Sequence, residues 1–465
     1  MQADSAANAD SDICFAPATR LARLLRDGVI SSRELLDIYT RRLAELNPLI
    51  NAVVTMDLDQ AHDAAFAADN TRARTPGLLG VLHGLPITVK DAITVRGLRS
   101  TGGATELADY VPDSDAPAVA TLREAGAIVF AKTNVPRWCA DIQTHNEIFG
   151  VTNNPWDISR TVGGSSGGSA AATCAGLTSF DLGTDLGGSI RIPASFCGVF
   201  GHKPTYGVVD QRGYLDCARR TEGYSLDVDM NVFGPIARSA ADLEMVMRLV
   251  ANTQHLYACT ALLGDLRFGV LLDDDYCPVD GTVAETLSTV VRAIAPLARS
   301  VRSCRPPGNL ADMARLCSDL TLAAVSLSQS DLIGDRIGGL HRRWLAMQEQ
   351  RRRLRLKWSE CFEEFDVVLC PATPSTAFAH AKDSGLGELS LQVNDTQIPA
   401  ERSMIWTQMA SLAYLPATVV PAGLAQGLPV GVQVIGPYLG DGRCLKVARE
   451  LERIGFEALV PSTLS

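Results

Sequence analysis

Two glycine-serine runs constrain this chain more than any other feature. They are Gly163-Gly164-Ser165-Ser166-Gly167-Gly168-Ser169 and, shortly after, Gly183-Thr184-Asp185-Leu186-Gly187-Gly188-Ser189-Ile190-Arg191. Ordering a glycine costs more backbone entropy than ordering any other residue, so two such runs in one apolar region need a compensating use. Tight turns, or a close approach of backbone and hydroxyls to a substrate, supply one. A plain linker needs neither.

The remainder of the chain can build a scaffold around these runs. Its 465 residues are 46% hydrophobic and 20% charged, enough for a large core, and length alone permits about two or three domains. The net charge of -10 argues against a nucleic-acid or anionic-membrane surface. The expected partner is a small neutral or hydrophobic molecule, met by a monomer or homodimer. Met1-Gln2-Ala3-Asp4-Ser5 shows neither a basic nor an apolar leader segment, and no apolar run reaches the roughly 18 residues that span a bilayer. A cytoplasmic protein is therefore expected, with residues 1–12 as a disordered tail and one domain over 13–460. The twelve cysteines, Cys14 to Cys444, show no CxxC spacing, so reduced buried thiols are expected, without a zinc site or disulfide framework.

Hydrophobic periodicity gives the architecture. Leu21, Leu24 and Leu25 precede Asp27-Gly28, and Ser31-Ser32-Arg33-Glu34 offers a capping box before Leu35, Leu36, Ile38, Tyr39, Leu43 and Leu46 on a helical period. Two helices joined by a glycine turn fit this pattern. Strand-like runs stand at 84–89 and 125–131 with a helical stretch at 118–124 between them, and recur at 366–371 and 431–436. This alternation predicts one large α/β domain whose sheet draws on both halves of the chain. The basic run 341–358 reads as the solvated face of a long helix, with an anionic partner surface as the alternative. The polar stretch 373–397 reads as a flexible loop.

A serine is a weak nucleophile until a base lies within hydrogen-bond reach, and the sequence offers two kinds. Gly164-Ser165-Ser166-Gly167-Gly168 matches the nucleophile elbow G-x-S-x-G, which asks for a downstream histidine such as His341 or His380. An elbow must follow a buried strand, and Ile158-Ser159-Arg160-Thr161-Val162 is too short and polar for one. The second base is Lys90, at the end of Leu85-Pro86-Ile87-Thr88-Val89: burial disfavours the ammonium and makes a neutral amine available near pH 7. The alternative use of Lys90 is a surface ion pair with Asp91. For the serines the alternatives are helix caps and turns. No Gly-Lys-Ser/Thr and no dinucleotide fingerprint follows the glycines, which leaves phosphate binding unsupported.

Taken together, Gly84-Leu85-Pro86-Ile87-Thr88-Val89-Lys90-Asp91, the two glycine-serine runs and Ile192-Pro193 running into Phe196-Cys197-Gly198-Val199-Phe200-Gly201 resemble the amidase signature family. The weaker likeness reaches from the helical N-terminus to 427–436. The resemblance implies a central mixed sheet covered by helices on both faces, a catalytic core over about 80–240, no cofactor, and a Ser, cis-Ser, Lys triad. On this sequence Ser189 would be the nucleophile, Ser165 the bridging serine on a cis peptide, and Lys90 the base. Backbone amides of Leu186, Gly187, Gly188 and Ser189 would hold the oxyanion. Ser166 and Thr184 would support them as neighbouring hydroxyls, Asp185 and Arg191 would form a structural pair, and Ser169 would cap a helix.

The reaction so implied is hydrolysis of a C–N bond through an acyl-enzyme. Family members also include amidotransferase subunits that act on misacylated tRNA with partner subunits. The expected pocket comprises Asn134, Trp138, Ile142, Gln143, Ile192 and Trp406, with Met404, Ile405 and Met409 joining Trp406 in an apolar lid. Apolar Ile192 points to neutral substrates, and Trp138 to aryl groups, hence aryl or alkyl amides and urethanes.

Overall fold

Leu35, Leu36, Tyr39 and Leu43 fall on the buried face of a helix, Ser32–Ile50, entered through Ser31 and closed by a left-handed Asn51. Ser31 accepts from the Glu34 amide while the Glu34 carboxylate accepts from the Ser31 amide, so the capping box is complete. The preceding helix, Ala18–Arg26, buries Leu21 and Leu25 and ends before the turn at Gly28. These elements come from a computed structural model, which describes residues 12–215, 226–251, 259–325, 337–381, 384–462 and 464. Residues 1–11 of the expected tail lie outside them.

The strand-like runs assemble into one 11-stranded sheet. In chain order its strands are β1 (Val53–Met56), β2 (Pro86–Lys90), β3 (Ile128–Thr133), β4 (Phe180–Asp185), β5 (Phe200–Lys203), β6 (Val232–Ala237), β7 (Arg267–Val270), β8 (Ser300–Ser303), β9 (Val367–Pro371), β10 (Ala417–Ala425) and β11 (Leu428–Ile435). Their spatial order is β1-β3-β2-β4-β6-β5-β10-β11-β9-β7-β8. The sheet is mixed and flanked by helices, one unit built from both halves of the chain.

Register at the centre positions the site. β2 runs parallel to β4, with Thr88 opposite Asp181 and Val89 opposite Leu182, so both strands end at the same edge. Carboxyl ends of parallel strands are where α/β sheets present their ligand crevices. β6 runs antiparallel to β4 and pairs Val232 with Asp185, which brings its start to that edge too. β2, β3 and β4 are buried along their whole length, as a sheet covered on both faces requires.

Several expectations need correction. The stretch 373–397 contains a strand, Ser390–Val393, that pairs with Thr396–Pro399 as a hairpin, with Leu391, Val393 and Ile398 buried; residues 382 and 383 lie outside the described residues. Residues 157–161 do form a strand, but in a hairpin with Asn153–Asn154 outside the central sheet, with Ile158 exposed. It is not the buried strand an elbow requires. The basic run lies on a helix, Ile337–Glu364, that buries only a stripe including Met347, Leu354 and Trp358 and exposes most of its cations. Arg351 is the exception, buried and paired to Asp229 at 2.7 Å. The described cysteines are free thiols, and no described helix is long and apolar enough to cross a membrane.

Candidate active site

Lys90 is the last residue of β2 and is wholly buried. Its Nζ lies 2.7 Å from Ser165 Oγ and 2.7 Å from Thr184 Oγ1. Burial holds its pKa below the ordinary lysine range, although Cys139, Asp185 and Asp181 nearby pull the other way. The surface ion pair with Asp91 does not form. Asp91 is itself buried, accepts from the Thr101 amide and hydroxyl, and faces Lys132 at 3.9 Å.

The first glycine-serine run folds as a turn into the helix Gly167–Cys174. The Gly164–Ser165 peptide is cis. A Cβ on Gly164 would fall 2.4 Å from the Asp141 carbonyl oxygen, so only glycine lets this turn press against the backbone of residues 141–143. Ser166 stands at the N-cap position without a capping bond from its side chain. Its Oγ instead donates to the Thr184 carbonyl at 3.1 Å, and its amide donates to the Ser189 carbonyl at 3.0 Å, tying the two runs together. Ser169, expected as a cap, sits inside the helix with its hydroxyl 2.9 Å from Thr133 Oγ1.

The second run leaves β4 at Asp185 and turns into the helix Arg191–Cys197. The Asp185 carboxylate organises that turn by accepting from the amides of Gly188 (2.8 Å) and Ile190 (3.1 Å) and from Arg191 Nε (2.9 Å) and Nη2 (2.8 Å). Burial alone would raise the pKa of Asp185, but the Arg191 charge and these hydrogen bonds outweigh it and hold the carboxyl low. Arg191 spends its other donors on the Thr407 carbonyl, Gln433 Oε1 and Ser411 Oγ. One expected oxyanion donor is thereby excluded, because the Gly188 amide is committed to Asp185. None of the described hydrogen bonds engages the amides of Leu186, Gly187 or Ser189.

Ser165, Thr184, Leu186, Gly187 and Ser189 line one cavity of about 650 Å³. Trp138 and Ile142 line it as expected, and so does Met404. The other pocket expectations fail, each because the side chain faces the core. Asn134 is buried and donates to Thr152 Oγ1, while Gln143 exchanges hydrogen bonds with the backbone of Ala381. Ile192 packs against Gly163 and Gly188, and Trp406, Ile405 and Met409 are buried beneath the wall rather than forming a lid. Ile192 therefore says nothing about substrate charge, and the cavity in fact includes Asp141, Arg315, Glu401 and Arg402. Its lining also includes Tyr214, Asn231, Tyr276 and Gln408, so it reaches beyond the expected core at 80–240. No local pattern marked these residues, since they meet only across the sheet edge. Neither His341 nor His380 belongs to the lining, and Ser166 is buried behind it.

A buried amine bonded to a serine hydroxyl, at a cavity where a second serine sits beside free backbone amides, fits a serine hydrolase of α/β architecture. The Amidase family model matches residues 34–338 and 335–445. The chain belongs to the amidase signature family, enzymes that act on C–N bonds. It is similar to one of the subunits of the glutamyl-tRNA(Gln) amidotransferase of Heliobacterium modesticaldum, with 32% identity over 94% of this chain and 96% of that one. Among solved structures, an amidase aligns with a TM-score of 0.80 at 29% identity, covering 94% of this chain and 99% of that one. A 6-aminohexanoate cyclic dimer hydrolase complexed with substrate aligns with a TM-score of 0.78 at 26% identity, covering 97% and 100%.

Proposed function

We propose that the chain is a stand-alone hydrolase that cleaves the C–N bond of an amide or carbamate through an acyl-enzyme on Ser189. The observation that carries this reading is Lys90: a buried amine, its pKa lowered, 2.7 Å from Ser165 Oγ on the cavity that Ser189 also lines. Neutral Lys90 takes the Ser165 proton as Ser165 takes that of Ser189, and Ser189 Oγ bonds to the carbonyl carbon. The amides of Leu186, Gly187 and Ser189 hold the resulting oxyanion, each such donor contributing about 3 kcal/mol to lowering the barrier. Collapse breaks the C–N bond, and the proton returns through Ser165 to the leaving nitrogen. Water then reverses the relay and frees the acid.

Aromatic walls from Trp138, Tyr214 and Tyr276 favour aryl or hydrophobic groups in the substrate. Their apolar faces stand beside four charged side chains, so the preference belongs to the region they line and not to the whole cavity. A second reading, an amidotransferase-type subunit that works with partners, has in its favour the likeness to the glutamyl-tRNA(Gln) amidotransferase relative over nearly the whole chain. The purified chain separates the two. Turnover of a neutral aryl amide by the single chain, lost by about four orders of magnitude in Ser189→Ala and Lys90→Ala, is the expected result. Activity that appears only when a partner subunit is added would reject the stand-alone reading.

A further inference from the structure

Four wholly buried ionisable side chains gather around the end of β2: Lys90 at its last position, Asp91 just after it, Lys132 on β3 and Asp181 on β4. Lys132 and Asp91 face each other at 3.9 Å, and Lys132 Nζ also donates to the Ile93 carbonyl and to Ser100 Oγ. Lys90 and Asp181 are left over, since neither enters any of the described ion pairs. Asp185, the other carboxylate near Lys90, is already neutralised by Arg191.

Asp181 sits behind Lys90 on the same face of the sheet. Thr88 is opposite Asp181 in the register of β2 with β4, and Thr88 Oγ1 donates to Asp181 Oδ2 at 2.7 Å. Lys90 stands two residues beyond Thr88, so it leaves β2 on the face that Thr88 and Asp181 share, about 7 Å further along the strand. Thr133 Oγ1 also donates to Oδ2, at 3.0 Å, and lies 2.9 Å from Ser169 Oγ. Oδ1 accepts none of the described hydrogen bonds. The helix Gly167–Cys174 packed over this face and the neighbouring strand β6 carry no charged side chain. What faces Lys90 is therefore Asp181, the committed Asp185, the Cys139 thiol and the hydroxyls of Ser165 and Thr184.

An asparagine could accept from the same hydroxyls, so crosslinking the strands does not account for the negative charge of Asp181. The relay does. When Lys90 takes the Ser165 proton, a positive charge appears in an interior that polarises poorly, and a carboxylate held nearby offsets that cost as it arises. An interaction that strengthens only as the reaction proceeds lowers the barrier, whereas one equally strong in the resting site does not. Burial raises the Asp181 pKa against the pull of its hydroxyl partners and of Lys90, and Asp181 pulls upward on the Lys90 value that burial lowers.

We propose that Asp181 is the counter-charge of Lys90, a positioning residue that touches neither substrate nor the reacting serines and acts by stabilising the ammonium formed when Lys90 takes the Ser165 proton. This deepens the hydrolytic reading given above and rests on it for the direction in which the proton moves.

The test follows modification of Ser189 by phenylmethanesulfonyl fluoride, in which Ser189 Oγ bonds to sulfur and fluoride leaves, by intact mass across a pH series. Asp181→Asn keeps an oxygen for Thr88 and Thr133 and drops only the charge. Without the carboxylate the ammonium is less stable, so the rising limb of rate against pH is expected to move at least about 0.5 unit toward acid, and its plateau to fall at least about 3-fold. A limb that stays in place, a uniform fall in rate without movement, or no modification of the unsubstituted chain at any pH overturns the proposal. Should Asp181→Asn fail to fold alone, the double variant Lys90→Met with Asp181→Asn decides. Removing both charges together is expected to give a urea midpoint at or above that of Lys90→Met, and a lower midpoint overturns the pairing. Turnover of a neutral aryl amide is read separately. A moved limb without turnover rejects the hydrolase and leaves the counter-charge standing; turnover with a fixed limb does the reverse.

Discussion

Lys90 meets two hydroxyls, a carbonyl and the Cys139 side chain, and none of its described hydrogen bonds goes to a carboxylate. Hydroxyls can serve an amine as acceptors or donors, so they offset the burial cost of the ammonium less than a paired carboxylate would. The pKa of Lys90 consequently falls. Since the proposed relay uses the neutral amine, kcat/KM is expected to rise with pH and level off below the ordinary lysine value of about 10.4. The residual activity of Lys90→Ala should lack that limb. A profile unchanged by the substitution would assign the titration to another group. At this scale the gathering of Lys90, Ser165 and Ser189 at one cavity was legible, because they stand within motifs whose order and 24-residue serine spacing are properties of the chain itself. The fate of the Gly188 amide was not legible. It depends on where the Asp185 carboxylate lands after the turn.

Between elements, Arg191 is the junction. Its guanidinium joins β4 through Asp185, the helix Ile405–Leu412 through Thr407 and Ser411, and β11 through Gln433. Both members of the ion pair are wholly buried. Removing one partner strands the other charge in a poorly polarisable interior, which costs about 3–5 kcal/mol. Arg191→Met should therefore lower stability by about that amount in denaturant titration and disorder the Ser189 turn, while Arg191→Lys restores only part of it, since an ammonium cannot reproduce the fork. A loss below about 1 kcal/mol would mean that the Asp185 turn is held by its backbone contacts alone. The sequence marked Asp185 and Arg191 as a pair, but it gave no hint that Thr407, Ser411 and Gln433 complete it from more than 200 residues away.

Across the whole molecule, the sheet buries three lysines, Lys90, Lys132 and Lys203. Lys203, at the end of β5, is wholly buried with Nζ donating to the Pro204 carbonyl, and burial together with the Arg191 charge lowers its pKa to about 7. Its unfolded value is near 10.4, so between those values the unfolded chain binds more protons and stability rises with pH. The contribution is fully present above about 10 and is lost as pH falls toward about 7, with a slope approaching 1.4 kcal/mol per pH unit inside the window. Lys203→Met should flatten the curve of unfolding free energy against pH there, and an unchanged slope would show that Lys203 stays charged in the fold. Lys132, with a pKa lowered by burial to about 8, adds a slope of the same sign and remains in the variant. Periodicity, caps and the ordered motifs were enough to give the α/β class, the N-terminal helices, the central strands and the motifs that carry Lys90, Ser165 and Ser189, because each of these is local in the chain. Which side chains face the cavity was decided by tertiary structure. Asn134, Gln143, Ile192 and Trp406 turn into the core while Asn231, Tyr276 and Gln408 line the cavity, since the pitch of a strand or helix selects a face but only packing against distant elements determines whether that face meets protein or open space.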